Sequence, residues 1–176
     1  GTVIAMRSYA RPTPGIFLYD NDDTTLENIN VHYAEGMGLL AQICEDITLK
    51  NFNVAIREGS DRYFTTQADA THFSGCKGKI TSVGGLYEGM MDDAINIHGV
   101  YLKVKEVINA QTIRCAFEHG QAYGFAWGDV GDTIRFVSAY TMEEHQEIYT
   151  IRDIRPADKE TVPAGRTPVP ALHTGR

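Results

Sequence analysis

The sequence predicts an all-β chain, specifically a parallel β-helix (solenoid) with a small appended β-barrel-like element. Short blocks of β-branched and aromatic residues at 25–31, 46–56, 79–83, 94–97, 101–107, 112–117 and 133–138 are separated by Gly, Asn and Asp, and helical periodicity is scarce. Leu26-Glu27-Asn28-Ile29-Asn30-Val31 recurs as Leu49-Lys50-Asn51-Phe52-Asn53-Val54, an offset of 49 − 26 = 23 residues. Stacked coils repeat inward apolar positions and turn asparagines in this way, whereas a hairpin fold has no need to. After about Ile108 the echo stops. A β-sandwich with look-alike strands is the competing architecture, and the repeat decides for the solenoid.

Taken in order, Asp20-Asn21-Asp22-Asp23 reads as a solvated or ion-binding turn ahead of the first repeat block. In the 23-residue register, segments 38–42, 64–69 and 92–96 become successive rungs of one sheet. Residues 1–108 then form the coils. Within 109–154, Phe125-Ala126-Trp127-Gly128-Asp129-Val130-Gly131-Asp132-Thr133-Ile134-Arg135-Phe136 reads as a turn feeding an alternating strand of a small barrel. Residues 141–146 suggest a short helical turn. The last stretch, 155–176, holds Pro156, Pro163, Pro168 and Pro170 and reads as an extended strap or frayed tail. With no evident solenoid caps, the chain is expected to be part of a larger protein.

A chain of 176 residues with 43% hydrophobic content can bury a core. Its net charge of −7 argues against a nucleic-acid partner and favours a neutral ligand. No apolar run reaches the ~18 residues of a membrane span, and the first residues lack a signal-type pattern. Cys44, Cys76 and Cys115 are odd in number and widely spaced, so they read as small apolar residues rather than as a zinc or disulfide framework. Nothing in the sequence assigns an oligomeric state.

The most informative segment is Gly89-Met90-Met91-Asp92-Asp93-Ala94-Ile95-Asn96-Ile97-His98-Gly99, which sets two carboxylates and a histidine into an apolar strand pattern. Period-two geometry puts Asp92, Asn96 and His98 on one face, and Asp93, Ile95 and Ile97 on the other. The isoleucines are expected inside. Asp93 then points inward unless a bend or bulge at the strand entrance turns it out. If it turns out, Asp69 of the preceding coil lies one strand spacing away, roughly 5 Å. Carboxylates that close provide both a proton donor and an ionised base, the pair that glycosidic hydrolysis requires. Turn capping or calcium binding is the competing use of an Asp-Asp pair. His72 and His98 each have the alternative of a structural hydrogen bond. Arg57, Glu58 and Arg62 cluster in a coil turn, solvated or meeting sugar hydroxyls. Trp127 and Tyr123 belong to the barrel core or to a sugar-stacking surface.

The 89–99 block, together with Asp69-Ala70-Thr71-His72-Phe73-Ser74-Gly75-Cys76, resembles glycoside hydrolase family 110, bacterial exo-α-1,3-galactosidases acting on blood-group-B-type glycans. The likeness extends over roughly residues 15–140. Its carboxylate arrangement is also similar to that of polygalacturonases. The family-110 resemblance implies a right-handed parallel β-helix with barrel elements, a single-displacement inverting mechanism, and no cofactor or catalytic metal. It implies Asp92 as general acid, with Asp69 and Asp93 holding and activating water. The substrate-binding expectation covers His98, Asn96, His72 and Arg57. The implied partner is a terminal α-galactosyl glycan, and the implied location is secreted or periplasmic. Two alternatives stand beside it: a polygalacturonase-like hydrolase, which needs basic residues for uronates, and a non-catalytic carbohydrate-binding β-helix. This chain is much shorter than a complete family member.

Overall fold

The computed structural model describes residues 1–4, 6, 11–119, 122 and 126–157, and the backbone of 170–175. Tyr123 and Phe125 lie outside the described residues, as do Pro163 and Pro168. The strands are β1 Ile16–Tyr19, β2 Thr25–Glu27, β3 Asn30–Val31, β4 Leu39–Gln42, β5 Glu45–Lys50, β6 Asn53–Val54, β7 Thr71–Ser74, β8 Lys77–Val83, β9 Leu86–Tyr87, β10 Ile95–His98, β11 Leu102–Asn109, β12 Thr112–Phe117, β13 Thr133–Val137, β14 Glu144–Pro156 and β15 Pro170–Gly175. No α-helix occurs among the described residues. The chain divides into two units, Gly1–Gly99 and Val100–Arg176.

In the first unit the chain visits three parallel sheets in turn, ordered β1-β4-β7-β10, β2-β5-β8 and β3-β6-β9. The sequence echo is realised as register: Leu26 pairs with Leu49, Asn30 with Asn53 and Val31 with Val54. Asn51 Nδ2–H donates to Asn28 Oδ1 at 3.1 Å, and Asn53 Nδ2–H to Asn30 Oδ1 at 3.0 Å. These side-chain ladders explain why asparagine recurs at the turns. The bends use left-handed backbone, and the same places recur from circuit to circuit: Asp20, Ile43 and Gly75; Asp23, Asp46 and Gly78; Asn28, Asn51 and Gly84. Asn, Asp and Gly suit that conformation, and a β-branched residue does not.

Ile43, at φ 55°, is the strained member of its column. Replacing it with Asn, I43N, is expected to raise stability by about 1 kcal/mol, because relief of left-handed strain outweighs a partly buried side chain. The urea midpoint reads this, and a lower midpoint would refute it.

The repeat stretches between the second and third circuits. From β1 to β4 the offset is 39 − 16 = 23 residues, from β4 to β7 it is 71 − 39 = 32, and from β7 to β10 it is 95 − 71 = 24. The middle rung is therefore Thr71–Ser74 and not 64–69, because 55–70 forms a longer connection whose Thr65 and Ala68 N–H groups bond Gly89 and Gly36 carbonyls. Inside, Leu39, Ala41, Ile47, Leu49, Phe52, Val54 and Phe73 are buried with Cys44. Two threonine hydroxyls buried beside this core are satisfied: Thr65 donates to Glu88 O at 2.8 Å and Thr71 to Ala94 O at 3.1 Å.

The second unit is a five-stranded sheet, ordered β11-β12-β15-β14-β13, with every pairing antiparallel. Ile113, Cys115 and Ile151 form its core, with Leu102, Trp127, Ile134, Phe136 and Ile154 against them. Burial pushes the Cys115 thiol up to about 11, and desolvation also raises that of Cys76, as expected of cysteines that pack rather than react. Trp127 belongs to this core, with its indole N–H donating to Val100 O at 2.5 Å.

Three sequence expectations are corrected here. The division falls at Gly99/Val100 rather than at 108, because β11 is the antiparallel partner of β12. Residues 144–146 open a 13-residue strand instead of completing a helical turn, since pairing with β13 overrides local preference. Finally, 155–176 is not simply a strap: Pro170–Gly175 lies between β12 and β14 in the sheet, held by backbone pairing.

Candidate active site

The first unit's β7 and β10 are neighbouring rungs, with Thr71 opposite Ile95 and Phe73 opposite Ile97. The residues just ahead of them are fixed by the same ladder. Ala70 N–H donates to Asp93 O at 2.8 Å, Thr71 N–H to Ala94 O at 3.2 Å, and Gly38 N–H to Asp69 O at 3.0 Å. Asp69, set between fully buried Ala68 and Ala70, is only 2% exposed. A carboxylate so desolvated needs partners.

The open direction of Asp93 is resolved outward. The chain bends at 91–92 and again at 94, and Asp93 is exposed rather than interior. Asp69, Asp92 and Asp93 each offer a carboxylate oxygen, and the three oxygens lie within 4.8 Å of one another. Among the described residues this is also the acidic group spaced to hold a cation. Ile95 and Ile97 share register columns with buried Leu39 and Ala41, yet they are 44% and 58% exposed because β10 is the edge of its sheet.

Each carboxylate has a distinct partner. Arg11 donates from its guanidinium to Asp92 Oδ2 at 3.0 Å. Asn96 Nδ2–H donates to Asp93 Oδ2 at 3.0 Å. His72 Nδ1 lies 2.5 Å from Asp69 Oδ2, and its Nε2 lies 2.8 Å from His98 Nε2. The two rings meet edge to face at 4.8 Å between centroids. His98 Nδ1 then meets Gly99 O at 2.9 Å.

The structure thus brings together Asp69, Asp92, Asp93, His72, His98 and Asn96. In this arrangement, however, both nitrogens of both imidazoles are engaged within the protein, so neither ring offers one to a sugar hydroxyl. Arg57 stands apart, exposed on the turn after β6, whose Ser60 N–H bonds Arg57 O at 3.1 Å. Arg62 lies over the Tyr33 ring at 4.0 Å, a cation–π contact. The contact that sequence reasoning missed is Arg11, 81 residues from Asp92 and outside any motif.

The family model for GLAA-B beta-barrel domain II matches residues 112–162. Over 94% of its length the chain is 59% identical to an Alpha-1,3-galactosidase B of Phocaeicola vulgatus, covering 28% of that protein. It is 55% identical over 99% of its length to an Alpha-1,3-galactosidase B of Parabacteroides distasonis, covering 30%. It is also 39% identical over 88% of its length to an Alpha-1,3-galactosidase A of Bacteroides fragilis, covering 26%. The chain spans less than a third of the length of these relatives. Identity of this level across nearly the whole chain, on both sides of the carboxylate site, places it in the family of these bacterial proteins, glycoside hydrolase family 110.

Proposed function

We propose that this chain carries the catalytic groups of a glycoside hydrolase that removes non-reducing terminal α-1,3-linked galactose from glycans. The convergence of three carboxylate oxygens within 4.8 Å on adjacent rungs carries this reading, and the relatives' names supply the sugar and the linkage. Asp92 is the general acid that protonates the departing oxygen, and Asp69 with Asp93 holds and activates water. Asn96 orients Asp93. An ion pair engages an ionised carboxylate, so Arg11 releases Asp92 when that residue reloads its proton. The proposal includes a right-handed parallel β-helix for residues 1–99, supported by the repeated visit to three parallel sheets. It also includes a secreted or periplasmic location, where such glycans are met.

The 4.8 Å spacing favours a second stereochemical reading. Inverting pairs are commonly ~6.5–9.5 Å apart to admit water, whereas retaining pairs are ~5–5.5 Å apart. With two carboxylates sharing the water the single-displacement course still fits, and the anomer of the first galactose formed separates the two. For the function itself, the protein expressed in its full natural reading frame is incubated with an oligosaccharide ending in α-1,3-galactose and, separately, with polygalacturonate. Galactose release from the first substrate alone is expected. Cleavage of polygalacturonate, or glycan binding with no release, would overturn the proposal.

A further inference from the structure

The hydrogen-bonded chain Asp69–His72–His98–Gly99 has a proton inventory that its geometry fixes. Gly99 O only accepts, so His98 Nδ1 carries a hydrogen. Two ring nitrogens 2.8 Å apart need one hydrogen between them, and the 2.5 Å link from His72 to Asp69 needs another. Three links take three protons. An ionised Asp69 with two neutral histidines supplies only two, so the unit holds one more and is neutral overall.

We infer that His72 is a positioning residue. Its ring carries the extra proton and holds the buried Asp69 carboxylate at the site, backed by the bare Nε2 of His98, whose tautomer the Gly99 carbonyl sets. This inference rests on reading the three carboxylates as the hydrolytic site. It departs from a sugar-contacting role for His72.

The charge balance explains why the proton belongs there. Asp69 faces His72 from its own turn, and Asp92 and Asp93 come from the segment entering β10, their oxygens within 4.8 Å of that of Asp69. His98 faces it from β10, while β4 presents Leu40 in register with His72 and brings no charge. Arg11 offsets Asp92, and a protonated His72 offsets Asp69.

Nitrogen-resolved NMR of the histidine rings in the whole chain tests the inventory without reference to activity. His98 is expected as the Nδ1–H tautomer with a bare Nε2, and His72 with both nitrogens protonated. A bare His72 Nδ1, or a His98 hydrogen on Nε2, would overturn the inference. In the full-reading-frame protein, H72Q is expected to lower kcat by about 10- to 100-fold, the scale on which partners that orient a reacting ligand act. KM should stay near the wild-type value. A rise in KM with kcat unchanged would assign His72 to the sugar instead. H98A, which removes an exposed ring, is expected to give a smaller kcat loss in the same direction, and an unaltered kcat would count against the chain. Failure of the wild type to release galactose refutes the hydrolase reading, while the ring-nitrogen spectra judge the inventory independently.

Discussion

Replacing Asp92 with Asn is expected to lower turnover of an oligosaccharide ending in α-1,3-galactose by about 10²–10⁴-fold, the contribution expected of a positioned general acid. The loss depends on the leaving group. A sugar alkoxide departs poorly without a proton, so the natural linkage feels the full effect, whereas a nitrophenolate departs without protonation. Hydrolysis of a nitrophenyl α-galactoside by D92N should therefore fall far less. Asn keeps the shape of Asp, and Asp92 is not part of the buried core, so the fold is retained. Equal losses on both substrates would remove Asp92 from the acid role. The leaving-group pattern appearing in D93N instead would transfer that role to Asp93.

The second large effect is on stability. Phe73 is 1% exposed at the centre of the first unit's core, on β7 and directly after His72. Truncation to Ala removes the ring and leaves a cavity between rungs, an expected cost of about 3–5 kcal/mol. Urea denaturation followed on the first unit measures it. Because β7 carries His72 against β10, with Asp69 just ahead of it in the chain, galactose release should fall together with stability. A loss under 1 kcal/mol would mean that the rungs collapse onto the cavity, contrary to the close packing described.

What was legible in the sequence follows from what repeats. Asn28 and Asn51 reveal two circuits because a left-handed bend wants Asn and stacked bends bond side chain to side chain. The third circuit puts Gly84 at that bend, which satisfies the same backbone need and erases the echo. The 32-residue offset before β7 then hid the correct middle rung, although Asp69 itself was identified. Asp92 and Asp93 stood out because charge inside an apolar strand pattern is costly. The outward turn of Asp93 was not readable, since it depends on bends that period-two counting ignores. Nor was Arg11, whose contact with Asp92 is purely tertiary. β15 escaped because its place is set by backbone pairing with β12 and β14, and Pro170 at its start reads locally as a breaker.

The spacing of the carboxylates and the roles given to them meet in one observable, the configuration of galactose at the instant of release. Proton NMR of the wild-type protein in its full reading frame, acting on an α-1,3-galactosyl oligosaccharide, resolves the two anomers before they interconvert. β-Galactose is expected to appear first, with the α form growing in later by mutarotation. α-Galactose appearing first would contradict that expectation and make one of the three aspartates a nucleophile.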